Sequence, residues 1–511
     1  MTATLAEPVA TDLDRTAWRQ LFVRCVAVPL AATAPLLSLV AGSDHRYNVY
    51  WHGALVQQHP LQIFGQNLET IPMYVDFGNF RPLGRMFEWA VDVGAYLFAE
   101  VTHLPVQVGL RLLSALAAAL LTAAAVVFAE ALTGRGRLFA APPARSLALL
   151  PFAIGCCLCA AGGNSATVLF GGLYFGTAAL VLAVAAWVCR APRLGVLLIV
   201  AGAALAAFNE MAAIAPPLAT AALLARDRLV LGVRPRLRPA LLLWLGFLPV
   251  FVPMRIALFL ACRDGGCYRN SDLKLGAGVL TALPNRLTAW LPPLQWGEAL
   301  RNDAQPVSKV VLAVSLVVFA ALAARLFAGL PRLPRLDRGQ AAGLAAGAGA
   351  LLVLGALLGS VNEQGQMAAA AGRWGVGWRD SGLTAAGGAL LLTALPALVT
   401  RRFASRTALV ALTLAGAGTA AVNQSFTQTS NRLPYATVTA RIAAEVAQFD
   451  PSPAGQARRC DLLRQFDDIF RRTPYSRFAS GELPGTHSAT ERMDLTASMA
   501  TRQMYGRPFC R

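Results

Sequence analysis

Carboxylates, imidazoles and guanidiniums are the groups from which proton transfer and anion capture are built, and in this chain many of them gather between Gly42 and Val101. Asp44, His45, Arg46 and Tyr47 follow directly on an apolar run, and Trp51, Glu69, Tyr74 and Asp76 come next. The segment continues through Phe80-Arg81-Pro82-Leu83-Gly84-Arg85. In a protein otherwise made of Leu, Ala, Val and Gly, a long polar stretch at one membrane face is where chemistry can take place. Glu210 stands apart from it, between two apolar runs and beside Asn209. A carboxylate that deep in apolar sequence is costly unless it meets a polar cavity or a partner. That makes Glu210 a second candidate, unless the two runs meet at the surface and leave it in water. His45, His52 and His59 raise the question of a metal, but a spacing of seven brings three ligands together in no single element we can name.

The elements that must position these groups are apolar helices. Of 511 residues, 56% are hydrophobic and 14% charged, against about a quarter charged in soluble domains, and the mean hydropathy is +0.51. The bilayer is the expected solvent. A net charge of +18 would fit nucleic acid if it were clustered on a soluble domain. The arginines instead lie in short patches between apolar runs, so the excess reads as a topology signal and as attraction to anionic headgroups, with no nucleic-acid partner.

Apolar runs near the roughly 20 residues that a bilayer needs occur at about 21–42, 105–131, 146–163, 166–189, 193–209, 210–226, 238–261, 308–329, 340–361, 382–400 and 405–422. Arg135, Arg137 and Arg145 follow the second run, Arg190 and Arg193 the fourth, and Arg226, Arg228, Arg234, Arg236 and Arg238 the sixth. Arg332, Arg335 and Arg338 follow the eighth, and Arg401, Arg402 and Arg406 the tenth. Every patch then falls on the side of the N-terminus, as the positive-inside rule requires. This predicts a multi-pass protein of an inner or plasma membrane, with a cytoplasmic N-terminus at 1–20 and an extracytoplasmic C-terminus. The first run is long enough to act as a signal anchor.

That scheme requires residues 83–101 not to span. Arg85, Glu88, Asp92, Tyr96 and Glu100 recur at three or four residues and share one helical face, while Met86, Phe87, Ala90, Val91, Leu97, Phe98 and Val101 line the other. The pattern predicts a helix lying in the membrane interface. The expected fold is therefore an all-α polytopic membrane protein with about eleven transmembrane helices, an external interface helix and a small extracytoplasmic C-terminal region. The transmembrane domain runs over 21–422 with external loops 43–104, 262–307 and 362–381, and the C-terminal region over 423–511.

Cysteine placement is consistent with this topology. Cys262 and Cys267 flank a short turn, and they, like Cys460 and Cys510, fall on the external side, where disulfides form. Cys25, Cys156, Cys157, Cys159 and Cys189 lie within apolar runs, where free cysteine behaves as a small hydrophobe. The chain has no Gly-rich phosphate loop between a strand and a helix, no His-Glu-x-x-His and no nucleophile elbow, which argues against a primary pump.

A first span followed at once by Gly42-Ser43-Asp44, an external loop ending in an amphipathic interface helix, many further spans and an external C-terminal region together resemble the GT-C class of integral-membrane glycosyltransferases. Asn79-Phe80-Arg81-Pro82-Leu83-Gly84-Arg85 is similar to a segment of bacterial members that glucosylate surface polysaccharides, with its order shifted. Thr167 to Tyr174 and Asn209-Glu210 are similar to parts of their later spans. The acidic pair common after the first span is reduced here to Asp44 followed by His45.

The resemblance implies a hexosyl- or pentosyltransferase that moves a sugar from a polyprenyl-phosphate donor to a glycan, lipid or protein acceptor of the cell envelope on the outer face, with inversion. An acceptor hydroxyl needs a base, and the departing lipid phosphate needs cations. On that reading Asp44 is the base and Glu210 a second catalytic candidate. Arg81, Arg85 and Lys274 take the donor phosphate, and His45, Tyr47, Trp51, Glu69 and Asp76 contact sugar or acceptor. Trp290, Trp296, Trp374 and Trp378 are either stacking platforms or members of the interfacial aromatic belt. No cofactor is expected, with a divalent cation left open. A transporter or flippase of lipid-linked sugars shares the apolar helices but calls for inverted repeats, and none is visible. A polysaccharide polymerase or ligase would differ mainly in its acceptor.

Overall fold

The computed structural model describes residues 12–42, 44–59, 61–190, 195–263, 273–301, 305–399, 403–471 and 488–510. They form helices joined by turns, and no strand occurs among them beyond the single bridge of Leu273 with Asn362. In chain order the helices are α1 (Asp12–Thr33), α2 (His45–Gln58), α3 (Gln62–Glu69), α4 (Ile71–Asp76), α5 (Pro82–Thr102), α6 (Val106–Thr133) and α7 (Arg145–Cys157). Next come α8 (Gly171–Arg190), α9 (Gly195–Ala206), α10 (Ala215–Ala225), α11 (Arg238–Ala261), α12 (Ala277–Thr288), α13 (Pro292–Ala299) and α14 (Lys309–Gly329). The remainder are α15 (Arg338–Ser360), α16 (Glu363–Ala370), α17 (Ser381–Leu398), α18 (Ala404–Asn431), α19 (Pro434–Ala447), α20 (Pro453–Arg471) and α21 (Ala489–Tyr505).

Seven of these, α6, α8, α11, α14, α15, α17 and α18, are long and apolar enough to cross a membrane. The shorter helices α7 and α9 are also apolar. A bilayer leaves no partner for a free backbone amide, so helices are the expected spanning element. Small residues let them close up. A Cβ on Gly246 of α11 would lie 1.9 Å from the Ile199 carbonyl oxygen, and one on Gly202 of α9 would lie 2.2 Å from that of Leu243. The two backbones meet where only glycine fits. Within the core, Asn423 of α18 donates to the carbonyls of Ala32 (2.8 Å) and Cys159 (2.7 Å) and accepts from the Ala161 amide (2.8 Å). One amide side chain thereby ties α1, α18 and the chain after α7 together.

The two ends of the bundle are built differently. At one end, the arginines of the interhelical patches cap helix C-termini and turns. Arg190 donates to the carbonyls of Gly136 (2.5 Å) and Glu130 (2.9 Å), Arg226 to Ala131 (3.0 Å), and Arg145 to Leu333 (2.8 Å) and Pro331 (2.5 Å). Ala131 is in the last turn of α6, where carbonyls run out of intrahelical amides, the Glu130 carbonyl is shared with the Gly134 amide, and Gly136 and Leu333 lie in turns. At the other end lie α2 to α5 and a C-terminal cap of α19, α20 and α21. The cap has its own apolar core, in which Val438, Ile442, Val446, Phe466, Met493, Ala497 and Phe509 meet Tyr47, Val49 and Tyr50 of α2 and Ala95, Tyr96 and Ala99 of α5. A disulfide between Cys460 and Cys510 closes the cap.

Helix α5 occupies nearly the predicted residues, but its polar stripe faces inward. Arg85, Glu88, Asp92 and Tyr96 are buried, whereas Leu83, Leu97 and Val101 are exposed. A lone interfacial helix would show its charges to water. Here α2 covers the stripe, with His45 and His52 on Asp92 and Gly53 against Tyr96, while Val91 and Phe87 pack on Gly172 and Gly176 of α8 and Ala95 on Gly109 of α6. The helix between Asn423 and Asp450 that the sequence predicts is broken in two, with α18 continuing to Asn431 and α19 starting at Pro434. Proline cannot donate the backbone bond that would continue α18.

Candidate functional site

The site grows from two helix starts. Proline at the first position of α5 suits a residue whose N–H has no helical partner, and it sets Arg81, Arg85, Glu88 and Asp92 at spacings of four, three and four along one face. On α2, His45 and His52 are seven residues apart, two turns, and also share a face. The two faces meet. The fully buried carboxylate of Asp92 accepts from His45 Nδ1 on one oxygen (3.0 Å) and from His52 Nδ1 on the other (2.8 Å). The His45 ring lies 4.2 Å from that of Phe170 between centroids, and the His52 ring 4.8 Å from that of Trp89.

Burial opposes charge on this cluster, but the partners outweigh it. Desolvation pushes the Asp92 carboxyl up, yet its hydrogen bonds with His45 and His52 hold it below the usual 3.8. Desolvation likewise pushes His45 down, yet the Asp92 hydrogen bond and charge, with Glu88 beyond it, hold the imidazole above 6.5. Beside His45 is a small cavity lined by Gly42, Glu88, Arg111, Ser114, Phe170 and neighbouring apolar groups. Arg111 of α6 spans its floor, donating to the carbonyls of Leu39 (3.3 Å), Val40 (3.2 Å) and Val168 (2.5 Å).

Next to the cavity lies a cluster richer in cations than in anions. Arg81 pairs with Glu88 at 3.3 Å, Arg85 lies over the ring of Tyr74, and Arg255 of α11 approaches Glu210 at 3.8 Å. Burial would raise the Glu210 carboxyl, but Arg255, Arg379 and Arg81 hold it below its ordinary value. Burial brings Arg85 down to about 10, still cationic at neutral pH. Glu210 opens a short turn capped by Asn209, whose side chain accepts from the Met211 amide at 3.2 Å. Arg379 comes from the turn before α17, which a buried bidentate pair holds: Arg286 meets Asp380 at 3.0 and 2.5 Å and the Val376 carbonyl at 2.6 Å. Several donors in this cluster are spare. Among the described residues, Arg81 Nε, Arg85 Nη2 and Asn209 Nδ2 are buried without a hydrogen-bond partner. Unpaired buried donors are uncommon, and each calls for an explanation such as a ligand.

The structure thus brings Arg81, Arg85 and Glu210 together and sets His45 beside them. Asp44 is exposed at the start of α2, with no side-chain capping bond. Lys274 pairs with Glu363, and among the described residues no contact joins it to Arg81 or Arg85. Tyr47 is buried towards the cap, between Arg46 and Arg492, and Trp51 is exposed beside His52. Glu69 and Asp76 are exposed at the ends of α3 and α4. Trp290 is buried and donates to the Leu287 carbonyl, and Trp296 donates to Thr419 Oγ1. Trp374 is exposed, and Trp378 lies beside Arg379. Cys262 ends α11, while Cys267 lies outside the described residues.

From sequence, Glu88 and Asp92 are read only as members of the polar stripe on α5, Arg111 and Arg255 only as snorkelling or lining a lipid groove, and Arg379 is given no role. The one available signal for Asp92 was the seven-residue histidine spacing. Read as two turns of one helix, it calls for an acidic partner on the facing element.

Fold and site together define a class: an all-helical polytopic membrane protein with a buried, cation-rich cluster at one end of the bundle. No protein-family model matches the chain, and no curated protein matches it. A crystal structure of ArnT from Cupriavidus metallidurans bound to undecaprenyl phosphate is similar to 96% of this chain and 78% of that one, at 15% sequence identity and a TM-score of 0.35.

Proposed function

We propose that this protein is a membrane glycosyltransferase that moves a sugar from a polyprenyl-phosphate donor to a glycan, lipid or protein acceptor of the cell envelope on the outer face. The observation that carries this reading is the set of spare buried donors on Arg81, Arg85 and Asn209, within a cluster where four guanidiniums face two carboxylates. A phosphodiester or phosphomonoester is the ligand chemistry such forks suit. The prenyl tail has an apolar path close by, because α11, which carries Arg255, presents Leu248, Val252, Ile256 and Phe259 outward. As the bond from the anomeric carbon to the phosphate oxygen breaks, the arginines would stabilise the charge that develops on the leaving phosphate. Attack by an acceptor hydroxyl from the opposite side gives inversion. A base is needed on that side.

The test is a binding and transfer assay on the purified full chain with polyprenyl-phosphate sugars, read by native mass spectrometry and by label appearing in acceptor. Wild-type protein is expected to retain the lipid and turn it over, and Arg81→Ala with Arg85→Ala to lose both. Retention of the lipid by the double variant, or lipid movement between leaflets without glycosidic bond formation, would overturn the assignment, the second in favour of a flippase.

A further inference from the structure

Two histidines share one carboxylate in this site, yet they face different surroundings. An ionised Asp92 can only accept hydrogen bonds, so both imidazoles must present Nδ1–H to it. That fixes the tautomer: in neutral His45, Nε2 carries the lone pair. His45 lines the cavity with Glu88, Arg111 and Ser114, which leaves Nε2 as the ring nitrogen available to it. His52 instead packs against Trp89 and Trp51.

We infer that His45, held in its tautomer by Asp92, is the general base that accepts the proton of the acceptor hydroxyl, and that His52 serves only to position Asp92. The inference rests on the glycosyl-transfer reading above and replaces Asp44 in the role of base. The acceptor O–H proton passes to His45 Nε2, the acceptor oxygen bonds to the anomeric carbon, and the electron pair of the breaking carbon–oxygen bond leaves with the lipid phosphate. His45 is then an imidazolium whose charge Asp92 balances, and it returns the proton to solvent. The arrangement of base, orienting carboxylate and fixed tautomer is one that enzymes on unrelated folds use to activate hydroxyls. Asp44 is exposed and its side chain makes no capping bond to α2 among the described residues. The charged groups facing His45 are Asp92 and Glu88 from α5 and Arg111 from α6, with Asp44 preceding it on its own turn.

Four full-length proteins test this: wild type, His45→Gln, His52→Gln and Asp44→Asn. Each is measured for polyprenyl-phosphate sugar binding, thermal unfolding and the pH dependence of kcat. His45→Gln is expected to bind the donor as wild type does, to lose about 10²-fold or more in kcat, and to lose the acidic limb of the pH profile. His52→Gln is expected to unfold earlier but to keep that limb, and Asp44→Asn to stay within a few-fold of wild type. Equal losses in His45→Gln and His52→Gln, with the acidic limb intact in both, would make the pair purely structural and overturn the inference. A large kcat loss in Asp44→Asn with His45→Gln active would return the role to Asp44. Either result leaves the glycosyltransferase reading standing, whereas a wild type that binds donor but forms no glycosidic bond overturns both.

Discussion

The two ends of the helical bundle use the same residue type in opposite ways. At the end that gathers Arg135, Arg145, Arg190 and Arg226, the guanidiniums of Arg145, Arg190 and Arg226 are spent largely on backbone carbonyls and that of Arg135 on Asp337, with Arg190 Nε left buried and without a hydrogen-bond partner among the described residues. At the other end Arg81, Arg85, Arg255 and Arg379 face carboxylates and aromatic rings, and buried donors are left over. The first arrangement closes a structure. The second gathers the unpaired donors of Arg81 and Arg85 in one cluster around Glu88 and Glu210. Arginine abundance alone therefore says little about where a ligand goes; unspent hydrogen bonds say more.

The largest expected effect comes from the pair that pins the Arg379 turn. Arg286→Leu strands Asp380 in a buried site and is expected to cost about 3–5 kcal/mol, read as a lowered unfolding temperature in detergent. Arg286→Leu with Asp380→Leu should recover much of that. If the single variant unfolds like wild type, the end that carries Asp92 and Glu210 is less dependent on its buried charges than its geometry implies.

The cap comes next. Cys460→Ser opens a loop with a sequence separation of 50 and is expected to destabilise α20 and α21 by about 2–4 kcal/mol, with faster amide exchange there and along the facing side of α2. Exchange confined to the cap would separate it from the site. Arg81→Ala alone should weaken donor binding about 10- to 100-fold, equivalent to about 1.4–2.7 kcal/mol. The same substitution at Arg145 should leave binding unchanged, which contrasts the two ends directly.

pH should also act on one end. Asp92 titrates below 3.8, so its contribution to stability is present above that value and is lost as pH falls through its depressed pKa. His45 titrates above 6.5, so its contribution is full below that value and is lost as pH rises through its raised pKa. A stability plateau between the two limits is expected in wild type and should disappear in Asp92→Asn. The smallest effect is at the carbonyl-capping end. Arg135 pairs with Asp337 at 2.7 Å, but both side chains are about half exposed, so Arg135→Ala should cost less than about 1 kcal/mol and shrink further in high salt.

Much of the architecture is legible in composition and period. Each of the eleven apolar runs overlaps a helix, though only seven of those helices are long and apolar enough to cross a membrane; the apolar character of a stretch is local information that needs no partner. The arginine patches, as far as their residues are described, also collect at one end: Arg135, Arg145, Arg190 and Arg226 reach the turns around 131–136 and 331–337. The stripe on α5 shows the limit. Its period correctly groups Arg85, Glu88, Asp92 and Tyr96 on one face, but nothing in the period says which way the face turns. A stripe of charges alone favours water; the same stripe against His45 and His52 favours burial.

The sequence by itself determined that the chain is a set of apolar helices, roughly where along the chain they fall, and that charge is concentrated before α6 and between the later helices. Those features follow from backbone hydrogen bonding and hydrophobic length within single segments. Only the tertiary structure decided that one carboxylate serves two histidines, that Asp44 stands outside that arrangement, and that guanidiniums from positions 81, 85, 255 and 379 converge around Glu88 and Glu210. Convergence of this kind depends on packing between residues far apart in the chain, where each side chain's partner is set by the faces that neighbouring helices bury.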